Sequence, residues 1–161
     1  MARAEDWSGE RDTGLVIRTL ADGDLERIVR IDQQYSGRNR HTWFEGKLKR
    51  ALKDSDVTIS LGAERDDLLV GVLMGSVHYG EFGLPEPVAV LDTILVDRSF
   101  ARGGIASAMM EQLVKNLGAL RIETLRTEVS WDEQELLSFL ARAGFQPAHR
   151  LVLERTMTLP G

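Results

Sequence analysis

Leu91-Asp-Thr-Ile-Leu-Val-Asp-Arg-Ser-Phe-Ala-Arg-Gly-Gly-Ile-Ala-Ser-Ala-Met-Met110 is the stretch on which the fold turns. Its first half continues an apolar run from Val88 to Val96, broken only by Asp92, as expected for a strand near the middle of a sheet. Asp97 to Gly103 is a short loop. From Gly104 to Leu117 the apolar residues recur at helical spacing, with Ile105, Met109 and Leu113 on one stripe and Ala106, Met110 and Leu117 beside it. Arg102, Gly103 and Gly104 stand where strand gives way to helix. Free N–H groups at a helix start, with the positive end of the dipole, attract anions. Two glycines let backbone approach a phosphate closely, and Arg102 adds a charged donor. The same pattern also suits a tight strand–helix turn with no ligand. It is not a P-loop, because no Gly-Lys-Ser/Thr occurs, and it is not a Rossmann fingerprint.

Working outward, Leu15 to Leu20 reads as a first strand. Asp22, a good N-cap, opens a helix that runs through Tyr35 and is broken by Gly37. A second helix spans about Thr42 to Lys53. Val57, Ile59, Leu61 and Ala63 alternate with polar residues, which predicts a half-buried strand. Asp66-Asp67 turns the chain into a hairpin partner, Leu68 to Tyr79, followed by the Gly- and Pro-rich loop Gly80 to Pro87. Beyond the central helix, Gly118 suits a C′ position. Arg121 to Val129 reads as a strand, Asp132 caps a last helix through Ala143, and Gly144 ends it. One or two short strands are expected over Phe145 to Met157. The order is β-α-α-β-β-β-α-β-α-β-β, a mixed α/β (α+β) chain.

The 161 residues correspond to one domain. Met1 to Thr13 is polar and charged without an apolar core, so it reads as a flexible tail and not a signal peptide. The folded domain is expected over 14–161. No apolar run is long enough for a membrane span. Cysteine is absent, which removes a disulfide framework, a thiolate metal site and a cysteine nucleophile, and fits the cytoplasm. Three scattered histidines (His41, His78, His149) argue against a metal site. The 25 acidic residues exceed the 20 Lys and Arg, so a nucleic-acid partner is disfavoured and a cationic acceptor such as an amine is favoured.

Leu91, Ile94 and Val96, followed by Gly104-Ile105-Ala106, resemble motif A of the GNAT superfamily of acyl-CoA N-acyltransferases. Leu136-Leu-Ser-Phe-Leu-Ala-Arg-Ala-Gly-Phe145 resembles its motif B, a helix ending in Gly-Phe. The element order agrees, so the resemblance covers about Leu15 to Met157. It implies a mixed, mostly antiparallel sheet splayed at its middle strands and an acetyl-CoA-dependent N-acetyltransferase acting on a primary amine of a small molecule, peptide or protein. The pantetheine arm is expected along Ile94, Leu95 and Val96, with an N–H near Leu95 polarising the thioester carbonyl. The pyrophosphate is expected on Arg102, Gly103, Gly104, Ile105, Ala106 and Ser107. No metal is implied. Edge pairing of the final hairpin leads to the expectation of a homodimer.

An ammonium acceptor must lose a proton before it attacks, and a carboxylate can take it. Glu128 matches, by its spacing to Gly144-Phe145, a catalytic Glu of related ribosomal-protein acetyltransferases; it also reads as a solvated strand-end charge. Asp92, in the central strand, reads either as the base or as a buried carboxylate holding a loop N–H. Glu81 is a third acid near the acceptor side. The family departs from this sequence at two places: Ala101 stands at the first motif A position, and Leu140 stands where a Tyr usually meets the leaving thiolate. Tyr79 is the substitute hydroxyl, or an ordinary packed strand residue. The two departures keep open a second class, a CoA-binding regulatory or interaction module with weak catalysis.

Overall fold

The computed structural model describes residues 14–53 and 59–161. The expected tail at 1–13, and Val57 of the second expected strand, lie outside the described residues. The chain forms two compact units, Met1–Glu128 and Val129–Gly161.

The first unit contains a five-stranded sheet in the order β1 (Leu15–Thr19), β2 (Leu61–Arg65), β3 (Leu68–His78), β4 (Val88–Val96), β5 (Thr124–Thr127). The first four strands pair antiparallel and β5 joins β4 in parallel. A parallel neighbour needs a crossover, and it is supplied by helix α3 (Ile105–Ala119). Helices α1 (Leu25–Ser36) and α2 (His41–Lys53) intervene between β1 and β2.

Apolar spacing explains the packing. Ile28 and Val29 of α1 and Phe44 and Leu48 of α2 form one buried cluster with Leu20, Leu69, Val72 and Met74. On α3, Ile105, Met109, Leu113 and Leu117 are buried. A Cβ at Gly71 of β3 would lie 2.9 Å from Ile105 Cγ2 and 3.1 Å from Met109 Cε, so α3 sits directly against the sheet there.

Several boundaries differ from expectation, each for a local reason. Asp22 does not cap α1. Residues Asp22–Asp24 form a 3-10 turn, and Asp24 accepts the Ala21 N–H at 2.8 Å and both terminal nitrogens of Arg18. The second strand starts later than expected, at Leu61, with Ile59 and Ser60 buried before it. Gly118 lies inside α3. The helix ends instead at Leu120 and Arg121, where Ile122 N–H reaches Leu117 O (2.9 Å) and Arg121 N–H reaches Gly118 O (3.1 Å). This is a Schellman closure with Arg121 in the left-handed region, φ 58.

In the second unit, α4 (Gln134–Arg142) closes on Gly144, φ 97, as its sequence predicts. It starts two residues after Asp132, and Leu137, expected to face inward, is exposed while Leu140 is buried. The expected final strands are not formed: residues 145–157 carry no strand pairing. Leu151, Val152 and Leu153 are exposed there, and an apolar segment becomes a strand only where another strand offers its backbone.

Candidate active site

The sheet opens at one defined point. β4 and β5 pair from Val88 opposite Thr124 to Leu91 opposite Thr127 and no further. Thr127 Oγ1 donates to Leu91 O at 2.7 Å, at the last paired position. On the other side of β4, Met74 pairs with Thr93 while Gly75 pairs with Leu91, so Asp92 is an extra, bulged residue. A bulge bends its strand and increases the local twist. Past Asp92, β4 continues to Val96 against β3 alone.

Alternate residues of a strand turn their N–H and C=O to the same neighbour. Asp97 N–H donates to Val70 O at 2.8 Å, so residues 97, 95 and 93 face β3. The amide groups of Ile94 and Val96 therefore face the opening, and the Leu95 N–H lies on the β3 side. Tyr35 Oη donates to Val96 O. The end of β4 is further fixed by Arg27, which donates to Leu69 O (3.0 and 2.8 Å) and to Asp97 (2.7 Å). Burial pushes the Asp97 carboxyl up, but hydrogen bonds from Arg27, the Ser99 N–H and Gln34 outweigh it, so the group titrates below the ordinary range.

The strand leads into a 3-10 turn at Arg98–Phe100 and then into Arg102, Gly103 and Gly104. Arg102 and Gly104 both lie in the left-handed region, φ 68 and 74. The first helical backbone bond is Ala108 N–H to Gly104 O, so the N–H groups of Ile105, Ala106 and Ser107 have no partner within the helix. Arg102, Gly103, Gly104 and Ser107 are exposed, and nothing lies within 4 Å of a Cβ at Gly104. The turn thus presents unpaired donors to open space, an arrangement that fits a phosphate group.

A cavity of about 670 Å³ lies beside the bulge, lined by residues of α2, β3 and β4 that include Trp43, Lys47, Arg50, Ser76 and Asp92, and by Tyr79. Its size is that of a small-molecule site. Asp92 is not the buried carboxylate of one sequence reading and holds no loop N–H. It is half-exposed, pairs with Lys47 Nζ and accepts from Thr93 Oγ1 at 2.8 Å. Lys47 Nζ also stands 4.7 Å from the centre of the Trp43 ring. Tyr79 follows β3 and is exposed in the cavity wall. Glu128 lies immediately after β5, exposed and without a hydrogen-bond or ion-pair partner among the described residues. Because Leu91 and Thr127 are opposite, Asp92 and Glu128 are the next residues on their strands, one on each side of the opening.

One arrangement was not legible in sequence. His78 Nδ1 meets Glu81 Oε1 at 2.7 Å, and His78 Nε2 meets the Ser76 hydroxyl at 3.0 Å. Ser76 and His78 lie two apart on β3, hence on one face, and the turn through Gly80 (φ 70) returns Glu81 to the ring. Phe82 next to it adopts φ 51 while 81% exposed, a strained conformation not compensated by burial. Sequence showed each of these residues separately; the left-handed turn that joins them carries no residue signal except Gly80. Among the described residues, no group of three or more His, Asp or Glu is placed to hold a metal ion, and no helix is long and apolar enough to cross a membrane.

Residues 25–145 match the model of the acetyltransferase (GNAT) family. No curated protein sequence matches significantly. Among solved structures, the fold is similar to aminoglycoside N-acetyltransferase AAC(6')-Iy in complex with CoA, with TM-score 0.76 and 18% identity over 92% of this chain and 98% of that one. It is similar to the aminoglycoside 6'-N-acetyltransferase AAC(6')-Ih of Acinetobacter baumannii, with TM-score 0.74 and 17% identity over 90% and 99% of the two chains. It is also similar to Ard1 of Thermoplasma volcanium, with TM-score 0.69 and 23% identity over 83% of each chain.

Proposed function

The chain belongs to the acetyltransferase (GNAT) family, and from that premise we propose that it moves an acetyl group from acetyl-CoA directly to a primary amine of a small molecule, peptide or protein. The observation that carries the reading is the opening of the sheet at the Asp92 bulge, beside a cavity and ahead of the glycine turn. A similar fold was solved as an aminoglycoside acetyltransferase with CoA bound.

The residues present fit CoA. Past Leu91 no strand pairs with this edge of β4, so Ile94 and the Val96 N–H, with Leu95 between them, are offered to an extended pantetheine arm, while Val96 O already accepts from Tyr35, and the turn from Arg102 to Ser107 offers donors to the pyrophosphate. Bound acetyl-CoA supplies an activated thioester. Asp92 and Glu128 draw an ammonium group to the opening, and one of them takes its proton, directly or through water. Tyr79, in the cavity wall, is assigned to the departing thiolate. A thiol with a pKa of about 8.5 leaves without much help, so Leu140 at the usual Tyr position is compatible with turnover. The cysteine-free sequence fits a reducing compartment, and we assign the protein to the cytoplasm, acting as a homodimer on amine acceptors, with neither a nucleic-acid nor a membrane partner.

The test is thiol release from acetyl-CoA with a panel of polyamines, amino acids, aminoglycosides and Lys-containing peptides. Release with at least one amine is expected. Acetyl-CoA binding without release for any acceptor would leave a CoA-binding module instead.

A further inference from the structure

We propose that Ser76, His78 and Glu81 are a nucleophile, its base and the residue that orients the base, and that the protein hydrolyses small carboxylic esters at Ser76. This activity goes beyond amine acetylation and needs no coenzyme.

Hydrogen-bonding chemistry sets the direction of the chain. Glu81 Oε1 lies 2.7 Å from His78 Nδ1. An ionised carboxylate only accepts, so Nδ1 carries the proton and donates it. In the neutral imidazole the other nitrogen, Nε2, is then an acceptor. The group it meets, at 3.0 Å, is the Ser76 hydroxyl, which therefore donates. A serine proton aimed at an imidazole nitrogen, with the imidazole held by a carboxylate, is the arrangement that activates a serine nucleophile. It is identified by these roles and not by chain order or fold. The carboxylate is also approached from its other oxygen, with Arg126 Nη2 4.0 Å from Glu81 Oε2. Its position depends on the left-handed turn at Gly80 and on Phe82, whose φ of 51 is strained and whose side chain is exposed. Strain of this kind clusters at active sites.

Ser76 is exposed and lines the cavity, whose volume of about 670 Å³ admits a short-chain ester. Two further hydroxyls, of Ser60 and Tyr79, line the same cavity. Ser60 Oγ accepts the Gly75 N–H at 3.4 Å, and no described group accepts the proton of either hydroxyl. Those protons are available to an oxyanion that develops in the cavity. In the reaction Ser76 Oγ attacks the ester carbonyl and its proton passes to His78 Nε2. Glu81 stabilises the resulting imidazolium through Nδ1–H. The carbonyl C–O bond to the alcohol oxygen then breaks and Nε2 returns the proton to that oxygen, so an alcohol leaves and an acyl-serine remains. Water attacks the acyl-serine and gives a proton to Nε2, which passes it to the Ser76 oxygen as the carboxylic acid departs. Ester and water have become acid and alcohol, and the three side chains are back in their starting state.

The experiment omits acetyl-CoA. Wild type is treated with a fluorophosphonate, which bonds to activated serines, and the modified peptide is mapped by mass spectrometry. One phosphonyl group on Ser76 is expected. Hydrolysis of p-nitrophenyl acetate and p-nitrophenyl butyrate is followed in wild type, Ser76→Ala, His78→Gln and Glu81→Gln, with the far-UV spectrum and urea midpoint as checks of folding. Ser76→Ala should abolish labelling and hydrolysis. His78→Gln should slow both by about 10²–10⁴, the usual contribution of a general base. Glu81 is a positioning residue, so Glu81→Gln should slow labelling and move the His78 ¹⁵N signals away from the Nδ1–H tautomer. Absence of label on Ser76 in wild type overturns the proposal, and this arm needs no variant. Labelling without ester hydrolysis overturns it too, as does a folded Ser76→Ala that hydrolyses the esters at the wild-type rate. None of these measurements depends on acetyl transfer, so the proposal and the acetyltransferase reading fail separately.

Discussion

Gly75 lies so close to Val90 that a Cβ on it would collide with the Val90 carbonyl oxygen, and that Cβ would also stand only 2.9 Å from Ile59 Cδ1. This approach occurs at the Asp92 bulge, where β3 and β4 change register. Gly75→Ala must therefore move backbone. It should destabilise the fold by roughly 1–3 kcal/mol, the usual range for overpacking, and lower any acetyl transfer by shifting the bulge. Gly71→Ala meets only side-chain atoms, Ile105 Cγ2, Met109 Cε and Ala63 Cβ. It should cost less. Urea unfolding of the two variants checks the order.

Gly104 is open in space but left-handed in backbone. Gly104→Asn tolerates that conformation and should keep the fold and acetyl-CoA binding. Gly104→Asp adds a negative charge before unpaired N–H groups and should abolish acetyl-CoA binding while the far-UV spectrum stays native. Isothermal calorimetry reads the difference. Equal affinity in both variants would remove the glycine turn from the cofactor site.

Glu128→Gln retains shape and removes basicity. If Glu128 takes the acceptor's proton, kcat at neutral pH should fall by about 10²–10⁴, with acetyl-CoA affinity unchanged. The deficit should shrink as pH rises and more amine arrives neutral. Asp92→Asn instead releases Lys47. A folded, inactive Asp92→Asn beside a fully active Glu128→Gln would move the proton to Asp92.

Asp97 is held below its ordinary range chiefly by Arg27, against the opposing effect of burial; Asp24 is held down likewise by Arg18 and the Ala21 N–H. A depressed folded-state pKa contributes stability that is complete above the unfolded value, about 3.9 for Asp. That stability is lost as pH falls through the folded value. The urea midpoint should therefore be flat on this account from neutral pH to about pH 5 and fall below pH 4. Arg27→Gln should lower the midpoint at neutral pH and flatten its acid dependence.

Leu151, Val152, Leu153, Met157 and Leu159 are all exposed in a segment without strand pairing. A second copy is the proposed partner for this segment. Light scattering at high micromolar concentration should give twice the chain mass, and Leu151→Lys with Leu153→Lys should reduce it to a monomer. A wild-type monomer would count against the dimer.

Sequence alone determined the elements whose pattern is local. The apolar run Val88–Val96 appears as β4 with those bounds, and the stripe on α3 is buried where its spacing requires. Gly104 and Gly144 stand at the turns where a left-handed residue is needed. These follow from backbone sterics and periodicity, which each segment carries in itself. The site depended on relations between segments. The bulge at Asp92 is a mismatch of register between two strands. The pairing of Asp92 with Lys47 joins β4 to α2, and the Ser76–His78–Glu81 chain depends on a returning turn. The last segment carries apolar residues as a strand does yet is unpaired, because apolar residues do not say whether another backbone is present to bond.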